Sequence, residues 1–312
     1  MNKLDLTPED YVIKYDSLNE KIKKPVRRYL YPIYIFFTTK VLSFLFHKKL
    51  DFDVDVWLFN QRGNDYERHR RRVDDIFDLE NKKLLLAGCG LGYDFPTWLP
   101  YNLKQITGVD YFSYDKAWQT IINDASEKHP KTKITFEQLS LEDMKGISNS
   151  SFDIVASDAV FEHIKNMDIV LDELYRVLKP GGLMYATFGP LWNCFHGDHI
   201  SGYDSAENGY NHLILSPDEY SKYLDAMGSY SHTPHDGRTW IDNDLFSYLK
   251  PIEYISYLEK AGFIKKYIVV LISSEGMSCL KDNKQLKEKL LSQHDYIDLI
   301  VEGMTVIYTK PT

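Results

Sequence analysis

The sequence predicts an α/β domain: a mainly parallel, seven-stranded sheet with helices on both faces, an N-terminal helical extension and a cap inserted after the fifth strand. Three observations carry this. Lys83-Leu-Leu-Leu-Ala87 runs straight into Gly88, Gly90 and Gly92, as a buried strand entering a tight turn does. From residue 82 onward, apolar runs of strand length alternate with stretches of helical period, which implies parallel pairing. With 312 residues, 44% of them hydrophobic and 26% charged, the chain has ample material for one core.

Residues 1–64 read as an arm and an apolar extension, and 65–312 as the main domain. The first 24 residues are charged rather than apolar, so no secretory signal is expected. Tyr29 to Phe46 is apolar and aromatic, flanked by Arg27, Arg28, Lys48 and Lys49, but Pro32, Thr38, Thr39 and Lys40 interrupt it. That argues against a membrane span. The first reading of residues 25–50 is a helix packed over the domain or between two subunits of a homodimer. The second is an interfacial anchor making peripheral membrane contact. Asn64 to Phe77 reads as a helix capped by Asn64 or Asp65, its arginines mostly a solvated face.

Strands are then expected at 82–88, 105–110, 132–137, 152–157, 182–188, 264–273 and 303–310. Helices are expected at 93–99, 113–128, 165–178, 216–227, 249–261 and 284–299. Gly262 closes the helix that contains Tyr254 to Ala261.

The glycine turn points to a ligand. Asp110 ends the second apolar run, Ile106-Thr-Gly-Val-Asp110, beside the turn, where a carboxylate can accept hydrogen bonds from both hydroxyls of a ribose. A dinucleotide site needs a third glycine at the sixth position, and Tyr93 stands there. No GxxxxGK[ST] loop occurs either. These observations favour a mononucleoside without a pyrophosphate.

Further landmarks follow in order: Ser151-Phe-Asp-Ile-Val155, Ala159-Val-Phe-Glu-His-Ile164, and Leu171 to Leu183 with its Lys-Pro-Gly-Gly turn. Together with the glycine loop, this series resembles the class I S-adenosylmethionine-dependent methyltransferases (type 11-like) over about residues 80 to 190. The resemblance implies a Rossmann-like fold, S-adenosylmethionine as cofactor and S-adenosylhomocysteine as product.

It also implies roles. Gly88, Cys89, Gly90 and Gly92 would cradle the methionine and ribose, and Asp110 would hold the ribose hydroxyls. Tyr111 would lie against the adenine face, with Leu141 and Glu142 at the adenine edge. Ser157 and Asp158 would face the methyl-donor end, with His163 on the same wall. Tyr66 or Arg70 would reach the methionine carboxylate. Two positions depart from the family. The acid usual two residues before the first glycine is Leu86, and the usual Asp of the adenine loop is Ser140. Asp94 or Asp158 would supply the missing charge.

The stretch from about 190 to 248 is too long for a simple connection and reads as a substrate cap. It holds His196, His199, His212, His232 and His235, half of the chain's ten histidines, with Trp192, Phe195, Tyr203, Tyr210 and Trp240. Its Gly197-Asp-His-Ile200 and Asn211-His-Leu213 resemble insertions in methyltransferases of cell-surface polysaccharide clusters. The histidines have three readings: structural or substrate-contacting groups; a general base, His199 before His196, with Asp158 nearby; or a metal site from His196, Asp198 and His199 with His212 or His235.

Net charge is −8, which disfavours nucleic acid as a partner. Cys89, Cys194 and Cys279 form no CxxC pair; this suits a reducing cytoplasm and no thiolate zinc site, and a divalent metal is the less favoured expectation. The expected activity is methyl transfer to a small molecule, foremost a hydroxyl of a sugar or sugar-linked metabolite. An aromatic or prenylated membrane-associated acceptor is the alternative. A non-catalytic cofactor-binding interaction protein is the reading from another class, and aminopropyl transfer on the same fold has nothing specific behind it.

Overall fold

The computed structural model describes residues 40, 55–59, 66–228 and 237–312. The apolar segment 25–50 lies outside them except for Lys40, which is helical and exposed. The caps Asn64 and Asp65 and the histidines His232 and His235 also lie outside.

The seven expected strands all form: β2 (Lys83–Ala87), β3 (Gln105–Asp110), β4 (Lys133–Gln138), β5 (Phe152–Asp158), β6 (Leu178–Phe188), β7 (Ile264–Ser273) and β8 (Val301–Thr309). An eighth, β1 (Asp55–Phe59), pairs in parallel with β7 at the sheet edge. It precedes residue 65, where the main domain was expected to begin. The order is β1-β7-β8-β6-β5-β2-β3-β4. β8 runs antiparallel to both its neighbours, and the other pairs are parallel.

Helices α1 (Tyr66–Phe77), α2 (Asp115–Lys128), α3 (Met167–Val177), α4 (Asn211–Ile214), α5 (Pro217–Met227), α6 (Arg238–Asp242) and α7 (Pro251–Lys260) are followed by α8 (Ser274–Asp282), α9 (Lys284–Leu291) and α10 (Tyr296–Ile300). Two expectations shift. Residues Phe95–Tyr101 form a 3₁₀ helix rather than an α-helix, with proline at its start and Pro100 inside it; proline cannot donate the bonds an α-helix needs there. The helix expected at 284–299 is two, α9 and α10, and α8 precedes them. The break falls at Ser292 to Asp295, between the two, while Asn283 separates α8 from α9: its side chain accepts from Leu286 N at 3.0 Å and starts α9. By contrast, α5 begins where expected, on a capping box between Ser216 and Glu219.

The unbroken apolar run of β2 reflects burial on both faces. Leu84 and Leu86 point into one core with Val73, Phe95, Trp98 and Ile106. Leu85 and Ala87 point into the other with Leu171, Leu174, Tyr254 and Val306. A third cluster, Ile200, Leu224 and Met227, lies in the expected cap.

Candidate cofactor and acceptor site

The chain runs outward from β2 to β3 and β4, then returns to β5 on the other side of β2. Such a switch point leaves a crevice at the carboxyl ends of the strands, where doubly wound sheets bind ligands. A cleft lies there, lined by Leu86, Ala87, Gly88, Cys89, Gly92, Asp94, Phe95, Ala156 and Asp158.

The glycine turn is held from below. Gly88 N and Cys89 N both donate to Val109 O, at 2.8 and 3.0 Å. All three glycines have positive φ, and their surroundings differ. A Cβ on Gly92 would come 2.4 Å from Ile121 Cδ1, and one on Gly88 2.4 Å from Val160 Cγ2. One on Gly90 would meet nothing within 4 Å. Gly88 and Gly92 are therefore constrained by packing, while Gly90 faces open space.

Asp110 ends β3 beside this turn. Its Oδ2 accepts from Gly90 N at 2.7 Å and its Oδ1 from Phe112 N at 2.9 Å. Each carboxylate oxygen can accept a second bond, which suits a vicinal diol. Tyr111 is 68% exposed and edge-on to Phe112. Leu139 N donates to Asp110 O at 2.8 Å, which keeps the loop after β4 near β3. On that loop Leu141 is half-buried and Glu142 exposed, and Glu142 Oε1 accepts from Asn166 at 3.1 Å. Cys89 is half-buried, and burial, then Asp110, pushes its thiol up.

At the other end of the cleft, Arg70 is fully buried and donates to both oxygens of Asp158, at 3.1 and 2.6 Å. Its Nε reaches Thr97 at 3.2 Å, and the guanidinium lies over the Trp98 ring, 4.2 Å from the centroid. Tyr185 donates a third bond to Asp158 at 3.0 Å. Asp158 lines the cleft, whereas Arg70 acts on it from behind. Of Tyr66 the structure describes only the backbone, at the start of α1. Ser157 is buried, and its hydroxyl ties β5 to β2 by donating to Ala87 O at 2.9 Å.

The predicted histidines diverge. His196 Nδ1 bonds Ser201 O, its Nε2 lies 3.5 Å from Glu275, and its ring stacks near Tyr203. His199 lies with the β5 exit instead: its ring is 5.1 Å from His163, 5.0 Å from Trp240 and 5.6 Å from Phe246. His199 Nε2 is buried with no hydrogen-bond partner among the described residues. Burial, then the proximity of His163, brings His199 down to about 3. Burial likewise brings His163 down to about 4, with its Nδ1 on Leu245 O at 2.8 Å. Both rings are therefore neutral near pH 7.

Asp198 points elsewhere. It accepts from Ile200 N, Ser201 N, Ser201 Oγ and Tyr220 OH, and His212 Nδ1 is 3.8 Å away. His196, Asp198 and His199 thus face different partners. Among the described residues no group of three or more His, Cys, Asp or Glu is placed to hold a metal.

One group stands out that the sequence reading did not place in the site. Glu162 is buried; its Oε1 accepts from Gly189 N at 3.0 Å and its Oε2 has no partner among the described residues. Burial is the main cause that pushes it up to about 8. A glutamate within the apolar Ala159–Ile164 run was the available signal. Asp94 and Asp158, the two acids offered for the missing charge, both lie in the cleft wall.

This arrangement defines the chain as a doubly wound α/β protein with a cleft at its switch point. A family model, the methyltransferase domain, matches residues 85–186, and that span holds β2 to β6 and the cleft. Over that span, about a third of its length, the chain is similar to S-adenosylmethionine-dependent methyltransferases. It is 28% identical over 159 residues to an uncharacterised methyltransferase of Schizosaccharomyces pombe, covering 48% of each chain. It is 23% identical to a malonyl-[acyl-carrier protein] O-methyltransferase of Calditerrivibrio nitroreducens, over 78% of this chain and 89% of that one. The chain spans about half the length of the first curated relatives it matches. Among solved structures, an S-adenosylmethionine-dependent methyltransferase from Mesorhizobium loti aligns at a TM-score of 0.46 and 15% identity, covering 78% of this chain and 98% of that one.

No helix among the described residues is long and apolar enough to cross a membrane.

Proposed function

We propose that the protein transfers a methyl group from S-adenosylmethionine to a hydroxyl of a small molecule, foremost a sugar or sugar-linked metabolite. The observation that carries this reading is His199: a neutral imidazole whose buried Nε2 has no partner among the described residues, set among rings where β5 ends.

The cofactor supplies an electrophilic methyl group. The residues near the turn fit it: Gly90 leaves room for close approach, Asp110 offers acceptors to the ribose, and Tyr111, Leu141 and Glu142 would meet the adenine. The protein's own task is to orient the acceptor oxygen, exclude water and accept its proton. His199 accepts the hydroxyl hydrogen. A site of such low basicity orients the oxygen and takes the proton as the bond to carbon forms, rather than ionising the alcohol beforehand. Asp158, with its oxygens engaged by Arg70 and Tyr185, positions the wall, and His196 braces the cap against Glu275.

The rings of His163, Trp240, Phe246 and Trp192 suit the apolar face of a sugar. They also favour the second reading, an aromatic or prenylated acceptor. Residues 1–64 as an extension, residues 190–248 as the substrate cap and a homodimer remain part of the proposal.

The test has two stages. Calorimetric titration with S-adenosylmethionine and S-adenosylhomocysteine should show saturable binding that Asp110→Ala weakens by about 100-fold or more, since two charged hydrogen bonds are lost. Hydroxylated acceptors, sugar and aromatic, are then screened with wild type and His199→Ala. Loss of turnover with cofactor affinity retained supports His199. Equal loss of both removes that assignment, and binding without turnover on any acceptor favours a non-catalytic protein.

A further inference from the structure

The segment 190–248 leaves the sheet and returns to it at one place. Its two ends lie against each other: the Trp192 ring packs 4.8 Å from Phe246 and 4.7 Å from Tyr248. Both ends also meet Glu162, in the turn Phe161–His163 after β5. The Glu162 side chain accepts from Gly189 N, where the chain enters the segment, at 3.0 Å. Its backbone carbonyl accepts from Ser247 N, where the chain leaves, at 2.8 Å. Nearby residues add to the grip on the exit: His163 Nδ1 bonds Leu245 O at 2.8 Å, and Lys165 pairs with Asp244.

The entry is held from two sides. Leu191 N donates to Glu302 O, on β8, at 2.8 Å. Toward β5, the sheet joins Thr187 O to Ala159 N at 2.7 Å, and beyond that point the Glu162 side chain carries the join to Gly189. β5 ends in Asp158, in the wall of the cleft, so this bond relates the entry of the segment to the cleft rather than to β8. Glu162 is 2% exposed, and its Oε2 has no partner among the described residues. Burying a polar group is costly unless it is hydrogen-bonded, and the bond to Gly189 is what this buried acid supplies. His163, one residue on, packs its ring 5.1 Å from His199 and 4.0 Å from Trp240. A shift of the segment on this turn therefore moves His199 relative to the cleft.

We propose that Glu162 is a positioning residue for the transfer: by holding the entry and exit of the cap on the turn after β5, it sets His199 against the cofactor cleft. The proposal rests on the reading of His199 as the proton acceptor.

The experiment compares wild type with Glu162→Leu, which fills the space without an acceptor, and Glu162→Gln, which restores one. Two quantities are measured: the rate at which diethyl pyrocarbonate modifies His199, read by peptide mass spectrometry, and the dissociation constant of S-adenosylhomocysteine, by calorimetry. In Glu162→Leu, His199 should be modified about 10-fold faster, the size of one buried hydrogen bond left unmade. The dissociation constant should stay within about threefold of wild type. Glu162→Gln should return modification to the wild-type rate. Unchanged modification in Glu162→Leu would overturn the proposal. So would loss of S-adenosylhomocysteine binding together with the protection of His199, which would make Glu162 a residue of the general fold. Turnover that survives His199→Ala in the acceptor screen would remove the reading beneath the proposal, and it is seen in a different assay from either of those failures.

Discussion

Asp94 governs the ligand-free protein. Burial first, then Asp158, pushes its carboxyl up to about 6 from the ordinary 3.8, with Arg70 opposing. The sign follows from proton binding. Between pH 3.8 and about 6 the unfolded chain has lost this proton while the folded one keeps it, so stability falls as pH rises through that window. Above it the penalty is constant. Asp94→Asn removes the penalty, so the ligand-free variant should melt roughly 2–4 °C higher than wild type at pH 8, with the difference gone near pH 3.5. A lower melting temperature at pH 8 would contradict this. The glycines make a paired prediction. Gly90→Ala, with φ +49 and open space around it, should cost only about 1–2 kcal/mol of stability in urea denaturation yet abolish cofactor binding. Gly92→Ala meets Ile121 at 2.4 Å and should damage the fold itself. Asp110 and the glycines were legible in the sequence because a strand–turn–helix demands them within a short span. The Arg70–Asp158 pair joins residues 88 positions apart, and no local pattern encodes such a contact. For the same reason, the two acids offered for the missing charge, Asp94 and Asp158, could be named but not told apart.

At the scale of elements, that ion pair fastens α1 to the end of β5. Removing one member of a buried pair leaves a stranded charge, which costs about 3–5 kcal/mol. Arg70→Ala should lose about that much in urea denaturation, and the double variant Arg70→Ala/Asp158→Ala less than the sum of the singles. Glu162 fastens another junction, between the turn after β5 and the exit of β6 at Gly189. Its carboxyl is pushed up to about 8 from 4.5, so between these values the folded state holds a proton the unfolded state lacks, and stability falls as pH rises. Glu162→Gln keeps an acceptor for Gly189 N without the charge. Melting curves against pH should show the variant equal to wild type near pH 4 and more stable at pH 9. The strands were legible because two-sided burial writes continuous apolar runs. The helix expected at 284–299 is two because the short polar break from Ser292 to Asp295 is a weak signal beside a long helical period.

At the scale of the whole molecule, the proposed function gives the sheet the donor side and the segment after β6 the acceptor side. Asp198 is the hub of that segment, holding Ser201 and Tyr220, and it touches neither the glycine turn nor Asp110. Asp198→Ala should therefore abolish turnover through loss of the His199 position, while S-adenosylhomocysteine affinity stays within about threefold. Parallel loss of affinity would show that the two halves stand or fall together. The cluster of Ile200, Leu224 and Met227 is separate from the two cores that flank the sheet. A segment with its own small core is a replaceable part: descent or a designer can exchange it for another of equal span, and the lineage acquires a new chemical customer while its methyl supply line is left untouched.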